Sequence, residues 1–402
     1  MSAHTDRISY NFRCFLNLMQ AVINETETPL IKKDVNWNLL YEIAIKHSLA
    51  GMLYYAIQKL PKSLRPQDDF VKYLRQMYRE QIVADFNLTL ETDRILSILS
   101  SQGVRCLPVK GIVTKADYPE SHLRTMTDVD VLCDSQSGNI VEKCFIENGY
   151  VKESVGIKDI SYRKDDILHF EMHHSLVTEN SPAYSYFSKI WDRVNYKKDS
   201  FIASMSIEDT YIYMLEHLAS HIESGGAGIR MYIDVYVFLK KHENALDRVY
   251  VDKILKDILL TDFEKVTVKI CNNWFSGKEE ADTASDIALF ILNSSTFGRS
   301  GVSFLSDNLK NYKHSQSAVS NGFKRISKKL FPSIKWMKKR FKAVDKLPVL
   351  YPFFVPVHWI DRLFFKHNVN TANLGSYFTS ADSEEAKELT SIFTSLGLNK
   401  RI

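Results

Sequence analysis

Apolar positions recur first with helical spacing, then alternate, then return to helical spacing, and that order sets the expected fold. Between about Asn36 and Leu60, Leu39, Leu40, Ile43, Ala44, Leu49 and Leu53 recur three and four residues apart, as on the buried face of helices. The spacing persists from Phe70 to Ser101, with Ile82, Phe86, Leu90, Ile95 and Leu99 expected on one apolar stripe and Gly103 as the C-terminal stop. The period then changes. Val104–Val109 is a short apolar run ending at Lys110-Gly111 and reads as a buried strand, and Ile112–Tyr118 predicts one or two helical turns. Thr127–Asp134 alternates with period two and predicts a strand. Gly138–Asn148 reads as a helix ended by Gly149, short runs come next at Tyr150–Val155 and Ile160–Arg163, and Ile167–Leu176 alternates again. From Ile207 helical spacing runs to Ser224, breaks at Gly225–Gly228, resumes over Met231–Lys241 and continues from Val249 to about Leu292.

Helices, a small α/β unit, then helices predict an α+β protein with an embedded sheet. The expected division is an N-terminal helical region (1–102), an α/β core (103–205), a helical subdomain (206–300) and a basic C-terminal helical region (301–402). A chain of 402 residues is long enough for such parts to bury their own cores.

Composition narrows the setting. Apolar residues at 45% and charged residues at 25% are ordinary for a folded protein, and a net charge of +4 names no partner. The five cysteines are scattered without a Cys-x-x-Cys pair, which argues against a disulfide framework or structural zinc and fits a reducing compartment. The first residues carry no apolar core of a secretory signal, and the longest apolar stretch, from Leu347 to Trp359, is short for a bilayer and broken by Pro348, Pro352 and Pro356. A soluble, cytoplasmic protein is expected. Between Lys324 and Lys346 ten Lys or Arg residues face one acid, with Phe323, Ile326, Leu330, Ile334, Met337 and Phe341 at helical spacing. Such a segment suits an anionic membrane surface or RNA, or is a solvated face over a core-facing stripe.

The chemistry concentrates in the central unit. Asp128 and Asp130, two apart on a predicted strand, leave from one face while Val129 and Val131 turn to the core. Paired carboxylates repel unless a cation neutralises them, and magnesium, with its oxygen ligands and affinity for phosphates, is the expected ion. Glu171, between apolar Phe170 and Met172 on the second alternating strand, is the candidate third ligand. Lys110, Gly111 and Arg124 precede this centre in the order a triphosphate site needs: a glycine turn offering N–H groups, and two cations. His169 and His173 share the strand face of Glu171, where they orient it or touch substrate. His217 and His221 lie four apart on one helical face. That spacing can hold zinc, but Leu218 stands where a zinc peptidase would have Glu, so packing or ligand contact is expected instead. Arg230 and Asp234, one turn apart, read as an ion pair on a helix surface or between domains.

The segments P-V-K-G (108–111), R-T-M-T-D-V-D-V-L (124–132) and H-F-E-M-H (169–173) resemble the signature of the uncharacterised bacterial nucleotidyltransferase family of the polymerase-beta superfamily. The likeness extends to Ala44–Leu53 with His47, and to Asp209–Asp234 with His217, His221, Arg230 and Asp234. One departure from the wider superfamily is plain: Lys-Gly replaces the usual Gly-Ser turn, with sixteen residues between Gly111 and Asp128. The resemblance implies a polymerase-beta-like core with a small mixed sheet flanked by helical regions, and NMP transfer from an NTP. Two magnesium ions (manganese as a substitute) are expected on Asp128, Asp130 and Glu171. The NMP would pass to a hydroxyl acceptor such as a small molecule or sugar, with release of pyrophosphate. Lys110, Gly111, Arg124, His169, His173, His217 and His221 are the expected nucleotide-binding residues. Modification of RNA or protein, and a catalytically silent nucleotide-binding or assembly protein, are the competing readings.

Overall fold

The computed structural model describes residues 3–27, 35–66, 69–165, 167–294, 347, 351 and 384–401. The basic segment 324–346 lies outside the described residues. Residues 1–222, 226–298 and 392–401 form one compact unit; 223–225, 299–391 and 402 form a second. The first unit holds every strand described below.

Four helices open it: α1 (Ala3–Asn24), α2 (Trp37–Lys46), α3 (Ala50–Lys59) and α4 (Asp69–Ser101). Asn36 caps α2 by accepting a hydrogen bond from the Leu39 amide, one of the orphan donors at a helix start. Gly103, at φ 77°, ends the 33-residue α4, since a left-handed residue there suits glycine. The chain then forms β1 (Cys106–Val109), α5 (Gly111–Thr114), β2 (Val129–Cys133), α6 (Gly138–Glu147), β3 (Val151–Val155), β4 (Asp159–Arg163) and β5 (His169–His173). After α7 (Tyr184–Phe187) and the two-residue strands β6 (Asn195–Tyr196) and β7 (Ala203–Ser204) come α8 (Ile207–Ser224), α9 (Ile229–His242), α10 (Arg248–Asp257), α11 (Thr261–Phe275) and α12 (Asp286–Asn293). A last helix, α13, spans Glu384–Ser395.

The five-stranded sheet has the order β1-β2-β5-β4-β3. Only β2 and β5 run parallel; the other pairs are antiparallel. This is the embedded sheet with helical flanks that the alternation of periods predicts, with the mixed pairing that the family resemblance implies.

One face of the sheet is its core. Val129, Val131, Phe170 and Met172 pack with Leu88, Ile95, Leu96 and Leu99 of α4 and Val141, Cys144 and Phe145 of α6. Phe145 stacks on Tyr162 at 4.4 Å between centroids and touches Phe170 and Tyr150. The stripe expected on α4 is only half right. Ile95 and Leu99 are buried, but Ile82, Phe86 and Leu90 are 38%, 63% and 54% exposed. The face that docks is Leu74, Leu88, Thr92, Ile95, Leu96 and Leu99. Over 33 residues a helix offers more than one apolar stripe, and the partner chooses among them.

At the other end of the unit, Arg401 forms a buried ion pair with Glu216 of α8 at 2.9 Å. Arg401 Nη1 also donates to the Ile258 carbonyl.

Because Phe145 backs both site-bearing strands, Phe145→Ala is expected to lower unfolding stability by about 3–5 kcal/mol in urea titrations. A loss under about 1 kcal/mol would show that the ring is not what holds the layers together.

Candidate active site

The parallel pairing of β2 and β5 sets Asp130 opposite Glu171. Neighbouring strands run about 4.8 Å apart, so register partners on one face bring their carboxylates within reach of a shared cation. Their apolar neighbours Val129, Val131, Phe170 and Met172 point to the opposite, core face. Asp128 sits one residue before β2, and together with Asp130, Glu171, Lys110, Gly111 and Arg124 it lines a cavity of about 230 Å³. The remaining wall comes from α8, with Tyr213, Met214, His217 and His221, and from α9, with Arg230, Met231, Asp234 and Val235.

Charge is unevenly shared among the acids. Burial opposes ionisation of Asp130, but Lys110 and His173 outweigh it and hold the carboxyl well below the usual range. Lys110 Nζ is 2.5 Å from Asp130 Oδ1, and His173 Nε2 donates to the same oxygen at 2.7 Å. Burial weakens Lys110 as a cation, yet Asp130 beside it raises the ammonium well above its ordinary value. Glu171 is held more loosely, with His173 Nε2 at 3.8 Å and Lys110 acting on it only at longer range. Burial, then Asp130 and Asp128, push its carboxyl up to about 7. Asp128 is raised as well, by burial and then by Asp130.

Lys110 adopts φ 57° and ψ −131°, a backbone region that side-chain-bearing residues avoid. The turn directs its ammonium at the carboxylates. Next to it, a Cβ on Gly111 would strike the Arg124 guanidinium and meet Met126 Sδ at 2.9 Å, so close approach explains that glycine.

Arg124 and Arg230 differ from the expectation. Asp234 pairs with Arg124, not with Arg230: Arg124 Nη2 and Nε donate to its two oxygens at 2.9 and 3.2 Å, and Tyr118 donates to Oδ1 at 2.6 Å. Arg230 instead donates Nη1 to the Thr125 carbonyl at 2.8 Å, and among the described residues its buried Nε has no partner. Burial, then the neighbouring Arg124, lower its guanidinium to about 10. The ion pair read from a one-turn spacing fails because Arg124, on a facing loop, can grip the buried carboxylate with two nitrogens.

The start of α9 is held by a histidine. The Ile229 amide donates to His47 Nδ1 at 3.2 Å, while His47 Nε2 donates to the Leu292 carbonyl. Burial lowers this imidazole to about 4, so it is a neutral strut. Among the described residues the His217 and His221 imidazoles form no hydrogen bond; their rings meet edge to face at 4.4 Å. Burial keeps both neutral, with His221 lowered to about 4.

A sequence-family model described as an uncharacterised nucleotidyltransferase matches residues 33–276, more than half of the chain. The chain belongs to this family. No curated protein and no solved structure matches it. The matched span runs from α2 to α11 and so includes the sheet, the carboxylates and both wall helices of the nucleotidyltransferase.

Whether its acids suit a divalent cation can be judged from their surroundings. Ligand atoms of Asp130, Glu171 and His173 all lie within 4.8 Å of one another, the one such group among the described residues. The acids around the cavity outnumber the cation paired with them, and two of the three acids are raised by burial and mutual repulsion. Oxygen donors with surplus negative charge beside phosphate-sized space fit magnesium. Neither His217 nor His221 belongs to such a cluster.

Of the residues anticipated from sequence, Lys110, Gly111, Arg124, Asp128, Asp130, Glu171, His217 and His221 share the cavity. His169 and His173 do not line it: His173 lies behind Asp130, and His169 Nε2 is 3.3 Å from Glu153. Sequence reasoning passed over Tyr213 and Lys158 and undervalued Arg230. Lys158, in the β3–β4 turn, is lowered by burial and by Lys110, while Asp159, Asp130 and Glu171 raise it. Its position among surface-like residues carried no signal. Tyr213, one turn before His217, could have been found by extending the histidine face.

The geometry sets two expected outcomes. Glu171 ionises near 4.5 when unfolded and at about 7 when folded, so between these values the unfolded chain binds fewer protons and stability falls as pH rises. Glu171→Gln is therefore expected to raise the melting temperature of metal-free protein above pH 7, with the gain vanishing near pH 4.5. A pH-independent difference would contradict the charge analysis. Gly111→Ala should displace Arg124 from Asp234 and cost about 1–3 kcal/mol in denaturant titrations; an unchanged midpoint would show that the turn has room.

Proposed function

We propose that this nucleotidyltransferase moves an NMP group from an NTP to an acceptor hydroxyl in a magnesium-dependent reaction. The observation that carries the reading is the β2–β5 register, which sets Asp130 against Glu171 at the cavity that Asp128 also lines. Asp128, Asp130 and Glu171 would hold the metal, which when bound neutralises developing phosphate charge and makes an acceptor hydroxyl more acidic. The acceptor oxygen bonds to the α-phosphorus as the bond from that phosphorus to the bridging oxygen breaks, and pyrophosphate leaves. The acceptor proton passes to Glu171, the carboxylate that β5 sets beside Asp130 at the cavity.

The protein's own cations have separate tasks. Lys110 holds Asp130 ionised and faces the phosphates, and Arg230, with guanidinium nitrogens free of acid partners, takes the triphosphate. Arg124, committed to Asp234, positions α9 against the loop before β2. His173 keeps Asp130 oriented from behind. Neutral His217 and His221 offer donors and acceptors to nucleotide or acceptor without adding charge.

With labelled NTPs and magnesium, pyrophosphate release is expected to fall by about a thousandfold in Asp128→Asn, while the melting temperature holds or rises because that carboxyl is already strained by burial. A rate within tenfold of the parent would remove the reading. Arg230→Gln should raise the KM for NTP by about 10- to 100-fold, the worth of hydrogen bonds to a charged group; an unchanged KM would assign Arg230 to packing alone.

A further inference from the structure

A second cavity, of about 270 Å³, adjoins the first, and Lys110, Thr114, Tyr213 and Met214 line both. Its remaining walls are mostly apolar: Leu96 of α4, Val109 of β1, Ile112 of α5, and Ile202 and Met205 on either side of β7. Charge enters through Asp93 and Lys197, both exposed residues.

The shared wall contains an anomaly. The Tyr213 hydroxyl and the Thr114 hydroxyl are both buried, and among the described residues neither has a hydrogen-bond partner. Among the described residues six buried hydroxyls lack a partner, and only these two of them line the partition between the two cavities. Tyr213 also lies within electrostatic reach of Lys110, Asp130 and Glu171, so the partition borders the carboxylate centre itself. Nothing in the nucleotide chemistry above uses either hydroxyl.

We propose that the second cavity is the acceptor site, and that it takes a small, mainly apolar molecule carrying one hydroxyl, a phenol or an alcohol. The proposal rests on the nucleotidyl-transfer reading and narrows its acceptor. The apolar body fills the walls of α4, α5 and the β7 segment, and the hydroxyl lies at the Tyr213–Thr114 partition. There the two orphan side chains gain the partner they lack, and the acceptor oxygen faces the α-phosphate held in the first cavity. Its bond to phosphorus forms as the α,β-bridging bond breaks, and its proton goes to Glu171. Thr92, Ser204 and Thr210 also line the cavity, but apolar side chains outnumber them, and such walls favour an apolar body. Tyr213 and Thr114 act here as specificity residues, answering the one polar group of the acceptor.

The test uses the full chain with phenol and benzyl alcohol as probes, against toluene and ethylbenzene, which lack the hydroxyl. Saturation-transfer NMR titrations without nucleotide are expected to show the hydroxylated pair binding at least tenfold more tightly. In the double variant Tyr213→Phe/Thr114→Val the preference should shrink to within twofold, while the melting temperature holds or rises because two unsatisfied hydroxyls are gone. A purely structural role would instead lower it. Met205→Trp should block both probe classes. Val113→Trp, at a cavity residue that is 39% exposed, repeats the block where added bulk need not disturb the core. Phenol or benzyl alcohol should also raise magnesium- and ATP-dependent pyrophosphate release at least tenfold in the parent, and not in either tryptophan variant. Equal binding of hydroxylated and deoxy probes, binding insensitive to both tryptophans, or no stimulation would each overturn the proposal. Magnesium–ATP binding measured in parallel separates the failures. If the parent binds magnesium–ATP and the probes fail, the acceptor site is wrong; if magnesium with ATP, GTP, CTP or UTP shows no binding, the nucleotidyl-transfer reading falls first.

Discussion

The parallel pairing of two short strands imposes the constraint around which the site is organised: two carboxylates must share one edge of low-dielectric space. Asp130 and Glu171 are opposite one another in that register, and their apolar neighbours hold the register by packing on α4 and α6. A one-residue slip of either strand would turn its acid into the core, so the hydrophobic face enforces the polar one. Lys110 and His173 settle the charge of Asp130 alone. Glu171 and Asp128 are left with a surplus that a divalent cation would relieve.

The helices beyond the sheet serve this constraint in different ways. His47 pins the first residue of α9 through its two ring nitrogens, and Arg124 ties Asp234 of the same helix to the loop before β2. These contacts commit residues that look available in the sequence, and in doing so release Arg230 toward the cavity. On α8, Glu216 is tied to Arg401 while the next residue, His217, faces the cavity without a hydrogen bond. One helix therefore anchors on one face and presents chemistry on another, which keeps the cavity wall stiff while its polar groups stay unspent.

Membership in the nucleotidyltransferase family and the geometry of the carboxylates point the same way, but they rest on different grounds. The family places the reaction class. The shape and polarity of the two adjoining cavities bear on what is bound, and the unsatisfied hydroxyls of Tyr213 and Thr114 are the feature that distinguishes the wall between them.

Sequence by itself determined the alternation of periods, and with it most of the helices, three of the five strands of the main sheet and the face from which Asp130 and Glu171 project, because a side-chain period of two or 3.6 is a local property of the backbone. It also brought forward Lys110, Gly111 and the acidic strand as one unit, since their order along the chain carries that information. Only the tertiary structure decided which stripe of α4 is buried, because Ile82, Phe86 and Leu90 are as apolar as the residues that dock and differ only in facing no partner. It alone decided that Asp234 belongs to Arg124, that His173 stands behind Asp130 and that Tyr213 and Thr114 share a wall, because each depends on groups from separate elements meeting in space. Charge partners are chosen by geometry and desolvation across the fold, and neither is written in the spacing of residues along one helix.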